Sequence, residues 1–118
     1  MPSHETPSIS THVLDNERGK PACGVRVTLE RLEGESVVTL TDLVTDSDGR
    51  IADLLSPFPL EPAIYQISWD AGSYYRKRSG EMPFVRVATV AFEITDIKRH
   101  YHIPLLMTRF ACTTYRGS

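Results

Sequence analysis

Residues 23–32, CGVRVTLERL, decide the class of fold because apolar and polar side chains alternate along them. Val25, Val27 and Leu29 fall on one face, and an arginine, a threonine and a glutamate occupy the positions between and after them. Neighbouring side chains in a β-strand point to opposite sides of the sheet, so this spacing predicts a strand with one buried face. Residues 85–95, VRVATVAFEIT, repeat the alternation.

Turn-forming residues divide the rest of the chain into short segments of the same kind, at 16–21, 33–36, 46–49 and 56–62. Between these turns we expect strands at 9–15, 23–32, 36–44, 50–55, 63–69, 84–95, 99–107 and 111–116. Residues 70–80, DAGSYYRKRSG, predict one short helix. Because a single sheet would leave an apolar face in water, this pattern predicts an all-β sandwich or barrel. Exposed sheet edges in such a fold favour oligomerisation.

Length and charge narrow the class of function. The 118 residues suffice for one domain, and 13 Lys and Arg against 15 Asp and Glu leave a net charge of -2. This balance disfavours binding to nucleic acid or to an anionic membrane. No apolar run approaches the roughly 18 residues that cross a bilayer, and the first residues do not resemble a secretory signal. We therefore expect a cytoplasmic protein, with the peroxisome as the alternative compartment.

The two cysteines do not form a recognisable framework. Cys23 and Cys112 are far apart and lack CxxC spacing, which disfavours both a disulfide scaffold and a zinc ribbon. We expect both to be small buried residues with reduced thiols.

Two histidines stand two positions apart in the segment RHYHIPLL. On a strand, His100 and His102 would point to the same side, an arrangement that suits zinc. A zinc site needs a further ligand, from His12, from an aspartate in residues 42–48 or from a cysteine, and spacing selects none of them. The sequence favours the alternative, in which each histidine is a hydrogen-bonded structural or surface residue.

The segment TDSDGR, residues 45–50, combines a turn with an arginine. Asp48 and Gly49 tolerate the backbone of a tight hairpin turn, which would aim Arg50 from the start of the next strand. Arg50 is either a solvated charge or a planar set of donors for an anionic or carbonyl-rich ligand. The same two interpretations apply to Arg116 in the carboxyl-terminal tail.

Four motifs in this order resemble one family: STHVLD followed by GKPA (10–22), TDSDGR (45–50), HYHIPLL (100–106) and the terminal YRGS (115–118). They are similar to the signatures of the 5-hydroxyisourate hydrolases, the transthyretin-like enzymes of urate breakdown. YRGS is a specific signature because it must stand at the carboxyl end. The resemblance begins at about residue 9, which leaves residues 1–8 as a flexible lead before a hydrolase domain at 9–118.

The resemblance implies a transthyretin-type β-sandwich of two four-stranded sheets with one short helix. It also implies a homotetramer, built as a dimer of dimers, with active sites in the channel between dimers. The implied activity is hydrolysis of 5-hydroxyisourate to 2-oxo-4-hydroxy-4-carboxy-5-ureidoimidazoline, by attack of water on a ring amide. Neither a metal nor an organic cofactor is implied.

The resemblance assigns catalytic roles to His12, Arg50, His102 and Ser118. His102 would be the general base assisted by His12, although the sequence leaves open which histidine takes the proton. Arg50 would stabilise the negative charge that develops on the attacked carbonyl oxygen. Contacts to the substrate would come from His12, Arg50, Tyr115, Arg116, Gly117 and Ser118.

One segment departs from the family pattern. The family usually resembles SPYGYST before its tail, whereas residues 108–114 read TRFACTT, with Arg109 in place of a proline and Cys112 in place of an aromatic residue. Because this segment contributes to the subunit interface in the family, the departure concerns subunit packing and the shape of the pocket.

Two other functions remain as alternatives, a transthyretin-like carrier of small ligands and a non-catalytic β-sandwich module. Transthyretin lacks the two histidines and the arginine at these motif positions, and it does not end in YRGS. The carrier is therefore disfavoured. In a non-catalytic module, His12, Arg50 and His102 would be unrelated surface residues.

Overall fold

A computed structural model describes residues 6–117 of the chain. Ser118 and residues 1–5 of the predicted lead, including His4, lie outside the described residues. The elements in chain order are β1 (Ile9–Asp15), β2 (Lys20–Pro21), β3 (Arg26–Glu33), β4 (Ser36–Val44), β5 (Arg50–Ile51), β6 (Ala63–Trp69), α1 (Ala71–Ser79), β7 (Ala88–Ile94), β8 (Tyr101–Met107) and β9 (Cys112–Thr114).

The strands form two sheets, which confirms the predicted all-β sandwich with one short helix. The first sheet has the order β2-β1-β8-β9, with β5 also paired to β1. The second sheet has the order β4-β3-β6-β7 and is antiparallel throughout. In the first sheet β1 and β8 run parallel, which brings together strands from opposite ends of the chain.

Apolar side chains from both sheets form one core. Val27 and Leu29 of β3, Ile67 of β6, and Leu105 and Met107 of β8 are all fully buried. The alternation seen in residues 23–32 therefore places its apolar face inward, as predicted. Burial of such side chains is the main favourable contribution to folding, at roughly 1.5–3 kcal/mol for each.

Helix α1 is fixed to the first sheet by a buried carboxylate. The side chain of Asp70 caps the helix by accepting from the Ser73 amide at 3.0 Å. Tyr74 and Tyr75 each donate a hydroxyl hydrogen bond of 2.9 Å to Asp15, which is fully buried at the end of β1. A buried carboxylate requires such donors, so these bonds determine where the helix lies.

The segment predicted as a strand at 50–55 differs most from expectation. Only Arg50–Ile51 is extended, and it crosses to the other sheet and pairs with β1 rather than forming a hairpin with β4. The chain turns directly afterwards, because the carboxylate of Asp53 accepts from the amides of Leu55 and Ser56. The prediction of a turn at Asp48 and Gly49 was right, but that of a simple hairpin was wrong.

Two other strands, β7 and β2, also differ from the prediction. β7 begins at Ala88 rather than at residue 84. The Val85 amide donates to the Arg109 carbonyl, and the Arg86 carbonyl accepts from the Gly72 amide, so these backbone groups are not available to pair within the sheet. The short strand β2 lies in a segment predicted as a turn.

The cysteine prediction was half wrong. Both cysteines are free, but Cys23 is exposed in the turn before β3, and Cys112 is half-buried. Burial raises the pKa of the Cys112 thiol.

Among the helices of residues 6–117, none has the length and apolar character needed to span a membrane.

Candidate functional site

The site lies on the outer face of β1 and β8, opposite the core. Thr11 and Ile103 pair in register and are buried, so the residues on either side of them in each strand point outward. Ser10 stands beside His102 in this register, and His12 stands two pairs further along, opposite Pro104. The parallel pairing of β1 and β8 therefore brings two of the sequence motifs onto one surface.

A tight turn at residues 46–49 places Arg50 on the same face. The carboxylate of Asp46 accepts from the amides of Asp48 and Arg50, each at 2.9 Å, and these bonds hold the pKa of that carboxyl below its usual range. Gly49 has a φ of 73°, and a Cβ there would overlap the Val13 carbonyl oxygen, so only glycine fits. Arg50 then pairs with His12 across β5 and β1.

These residues border an open cavity of about 640 Å³. Arg50, His102, His100 and Ser10 contribute to its wall, and Lys98 adds a second positive charge. The remaining lining residues are Thr6, Pro7, Thr11, Ile51 and Ala52. The cavity thus combines cationic groups with imidazoles, which suits a small ligand rich in carbonyl oxygens.

Hydrogen bonds join the two histidines of the HYH motif through a serine. The Ser10 hydroxyl lies 2.8 Å from Nδ1 of His102 and 2.8 Å from Nε2 of His100. The backbone amide of Ser8 donates to Nδ1 of His100 at 3.2 Å. The prediction that His100 and His102 point to one side is confirmed.

The surroundings of His102 keep its imidazole neutral. Burial lowers the pKa of His102 from its ordinary value of 6.5, and the positive charge of Arg50 lowers it further. A neutral imidazole at physiological pH can donate one hydrogen bond and accept another.

A second carboxylate supports Ser8. The Ser8 hydroxyl donates to Oδ1 of Asp53 at 2.5 Å. Burial alone would raise the pKa of Asp53, but the hydrogen bonds from Ser8, Ser56 and Leu55 lower it. Sequence reasoning missed Ser8, Ser10 and Asp53. For Ser10, the signal was its position two residues before His12, on the same strand face.

Part of the predicted tail lies against His102. The Gly117 amide donates to the His102 carbonyl oxygen at 2.7 Å, and a Cβ on Gly117 would lie only 2.8 Å from Cδ2 of the imidazole. The tail is therefore ordered up to residue 117, by backbone pairing with β8. Ser118, which sequence analysis assigned to catalysis, lies outside the described residues.

The other predicted tail residues border a different cavity. Tyr115 and Arg116 line a smaller space of about 180 Å³, and the Arg116 guanidinium lies 5.0 Å from the centre of the Tyr101 ring. His12 shares the outer face with Arg50 and His102, but it is not part of the wall of the larger cavity. Within one protomer, Arg50 and His102 thus share the larger cavity, Gly117 contacts His102, and His12 pairs with Arg50.

Within residues 6–117, no three His, Cys, Asp or Glu side chains are grouped as a metal ion would need. The pair His100 and His102 instead uses three of its four ring nitrogens in the hydrogen bonds to Ser8 and Ser10.

Three comparisons identify relatives of this fold and site. The profile of the HIUase/Transthyretin family matches residues 9–117. The 5-hydroxyisourate hydrolase of Deinococcus radiodurans is 42% identical over 115 residues, which cover 95% of this chain and 97% of that protein. Among solved structures, Klebsiella pneumoniae 5-hydroxyisourate hydrolase superposes with a TM-score of 0.81 at 39% identity, covering 95% of this chain and 99% of that one. Sea bream transthyretin in complex with thyroxine superposes with a TM-score of 0.83 at 28% identity, covering 92% and 93% respectively.

Proposed function

The chain belongs to the HIUase/Transthyretin family, and on that basis we propose that it hydrolyses 5-hydroxyisourate to 2-oxo-4-hydroxy-4-carboxy-5-ureidoimidazoline in urate degradation. Near-full-length relatives that bear the hydrolase name support the reaction. The single structural observation that carries the proposal is the shared cavity of Arg50 and His102, on the face that also holds His12.

The residue types suit the chemistry of a small, flat, oxygen-rich ring. Hydrolysis of a ring amide requires a base for the attacking water, a stabiliser for the oxyanion and a proton for the departing nitrogen. The Arg50 guanidinium offers paired donors to carbonyl oxygens and a charge for the oxyanion. Two imidazoles, His12 and His102, are available to manage protons. No metal or organic cofactor is required for these steps.

The carrier alternative draws on the likeness to sea bream transthyretin, whose crystal structure contains thyroxine. The cavity here has Arg50, Lys98 and two imidazoles in its wall, groups that pair with the carbonyl oxygens of a small polar ring. The cavity therefore favours hydrolysis over hormone transport.

We propose a homotetramer, a dimer of dimers, as the active form. The outer face of β1 and β8 is open in a single protomer, and Tyr115 and Phe110 near the carboxyl end are exposed. A second copy packed against this face would enclose the cavity and exclude water from the reaction. The proposed compartment is the cytoplasm, with the peroxisome as the alternative.

The variants Arg50→Ala and His102→Ala test the residue roles. Each is expected to lower turnover at least ~100-fold, as removal of a charge-stabilising donor or a proton-handling group typically does. The assay follows the ultraviolet absorbance of hydroxyisourate generated in situ from urate, with the unassisted decay subtracted. Arg76→Ala, on the exposed surface of α1, is the matched control and should retain the parental rate. Parental rates in both site variants would refute the role assignment.

A further inference from the structure

A backbone amide determines which groups donate and which accept in the hydrogen bonds around Ser10. The Ser8 amide can only donate, so Nδ1 of His100 must accept. In a neutral imidazole that accepts at Nδ1, the hydrogen is on Nε2. Nε2 of His100 therefore donates to the Ser10 hydroxyl oxygen, 2.8 Å away.

The Ser10 hydroxyl in turn donates its hydrogen to His102. Ser10 is only 8% exposed, and its hydroxyl has two partners among residues 6–117, the ring nitrogens of His100 and His102. Since the bond from His100 uses a lone pair of Oγ, the single hydroxyl hydrogen points to Nδ1 of His102. The opposite tautomer of His102 would direct two N–H groups at Oγ and leave the hydroxyl hydrogen without a partner.

We infer that Ser8, His100 and Ser10 hold neutral His102 as the tautomer with its hydrogen on Nε2, so that His102 serves the reaction as a hydrogen-bond donor rather than as its base. Ser10 and His100 are accordingly positioning residues. The catalytic part of this inference rests on the proposed hydrolysis, whereas the tautomer itself does not.

The consequence is a division of labour between the two histidines. Water attacks the ring carbonyl carbon, and one of its protons moves to His12, the other imidazole on this face. The carbon–nitrogen bond then breaks, and His12 returns that proton to the departing ring nitrogen. His102 keeps its proton throughout, and its Nε2–H stabilises the oxyanion together with Arg50. This assignment reverses the expectation from the sequence, in which His102 was the base and His12 assisted.

The charges around His102 favour this neutral donor role. The positive charge of Arg50 acts on His102, and Lys98 borders the same cavity. Gly117 packs against the Cδ2 edge of the ring, so the imidazole is held between Ser10 on one side and the tail on the other. A second proton on His102 would add charge to an already cationic site.

Nuclear magnetic resonance tests the tautomer without any substrate. Long-range proton–nitrogen correlation spectra of the full chain labelled with ¹⁵N-histidine distinguish a nitrogen that carries hydrogen from one that does not. The His102 signals are identified by their loss in a His102→Gln variant. At neutral pH we expect the shift of a protonated nitrogen at Nε2 and of an unprotonated nitrogen at Nδ1. The reverse pattern would overturn the inference, whether or not the protein is active.

Two pairs of variants test the positioning roles by kinetics. Ser10→Ala should mix the His102 tautomers and lower kcat roughly 10-fold with KM little changed, because the lost hydrogen bond acts on the developing oxyanion. Ser10→Thr retains the hydroxyl and should keep both the histidine ¹⁵N spectrum and kcat close to those of the parent.

In the second pair, His100→Gln keeps a side-chain N–H donor for Ser10 but removes the titratable ring, whereas His100→Ala removes the donor. We expect His100→Gln to keep kcat near the parental value and His100→Ala to lose roughly 10-fold, the size of one lost hydrogen bond. Equal losses in both would overturn the inference, because they would mean that the His100 ring itself exchanges protons.

Failure of this inference and failure of the proposed function are distinguishable. If the parent protein shows the expected spectrum but does not accelerate hydroxyisourate decay, the function is wrong and the tautomer stands. If the protein accelerates decay but Nε2 of His102 carries no hydrogen, the function stands and the donor role is refuted.

Discussion

Gly117→Ala should lower turnover without lowering stability, because a methyl group at this position collides with His102. The added Cβ would lie 2.8 Å from Cδ2 of the imidazole and 3.2 Å from the His102 carbonyl oxygen. Ordinary van der Waals contact of carbon atoms begins near 3.5 Å, so relief of the clash requires a shift of roughly 0.7 Å. His102 cannot yield easily, since Nδ1 is bonded to Ser10.

The size of the effect follows from that shift. A displacement of about 1 Å at a reacting group can cost ~100-fold in rate, so we expect a loss of roughly 10- to 100-fold in kcat. Gly117 forms an isolated bridge with His102 and belongs to none of the strands β1 to β9, so the midpoint of thermal unfolding should stay close to the parental value.

The ultraviolet assay and a thermal melt on the same preparation measure both quantities. Gly34→Ala is the matched control, since Gly34 has a φ of 63° and a Cβ there has nothing within 4 Å. Its alanine should cost about 1 kcal/mol of stability through backbone strain and leave kcat unchanged. A Gly117→Ala variant with parental kcat would refute the claim that the tail shapes the site.

Three further predictions concern the carboxylate below α1, the tail and the titration of His102. Asp15→Asn should lower the free energy of unfolding by about 2 kcal/mol, because Tyr74 and Tyr75 donate to different oxygens of Asp15 and the asparagine amide replaces one of them with an NH2 group that cannot accept. Asp42→Asn, which breaks the exposed Arg26–Asp42 pair, should leave the free energy of unfolding close to the parental value; urea titrations compare the two variants. A carboxyl-terminal tag should impair kcat/KM more than an amino-terminal tag, and equal rates would show that the tail is not part of the site. Because folding lowers the pKa of His102 below 6.5, the unfolded chain binds a proton on this residue at a higher pH than the folded protein does. The free energy of unfolding should therefore fall as the pH drops through about 6.5 and level off below the pKa of the folded state. Urea midpoints measured across this range should fall less steeply for His102→Gln.

The sandwich was predictable because it depends on local alternation. The bounds of β1, β4 and β6 agree with the sequence-based strands, since each is a run of alternating residues bordered by turn formers. The pairing of β5 was not predictable in this way. Arg50–Ile51 leaves β4 for the opposite sheet because of the Asp46 and Asp53 carboxylates, whose hydrogen bonds depend on the folded loop.

The site was predictable only in part. Motif resemblance singled out Arg50, His102 and the tail, and alternation correctly placed both histidines of HYH on one side. The link through Ser10 depends on the parallel register of β1 and β8, which joins residues 92 positions apart. No local pattern encodes that register. For the same reason the sequence could not decide which histidine holds its proton at which nitrogen.

The most direct measurement is the rate at which purified protein removes hydroxyisourate freshly formed from urate, compared with the same mixture containing heat-denatured protein. We expect faster decay that rises in proportion to protein concentration, saturates with substrate and yields the ring-opened carboxylate. Decay at the rate of the denatured control, by a folded and tetrameric protein, would contradict the assignment of Arg50 and the two imidazoles to a hydrolytic site.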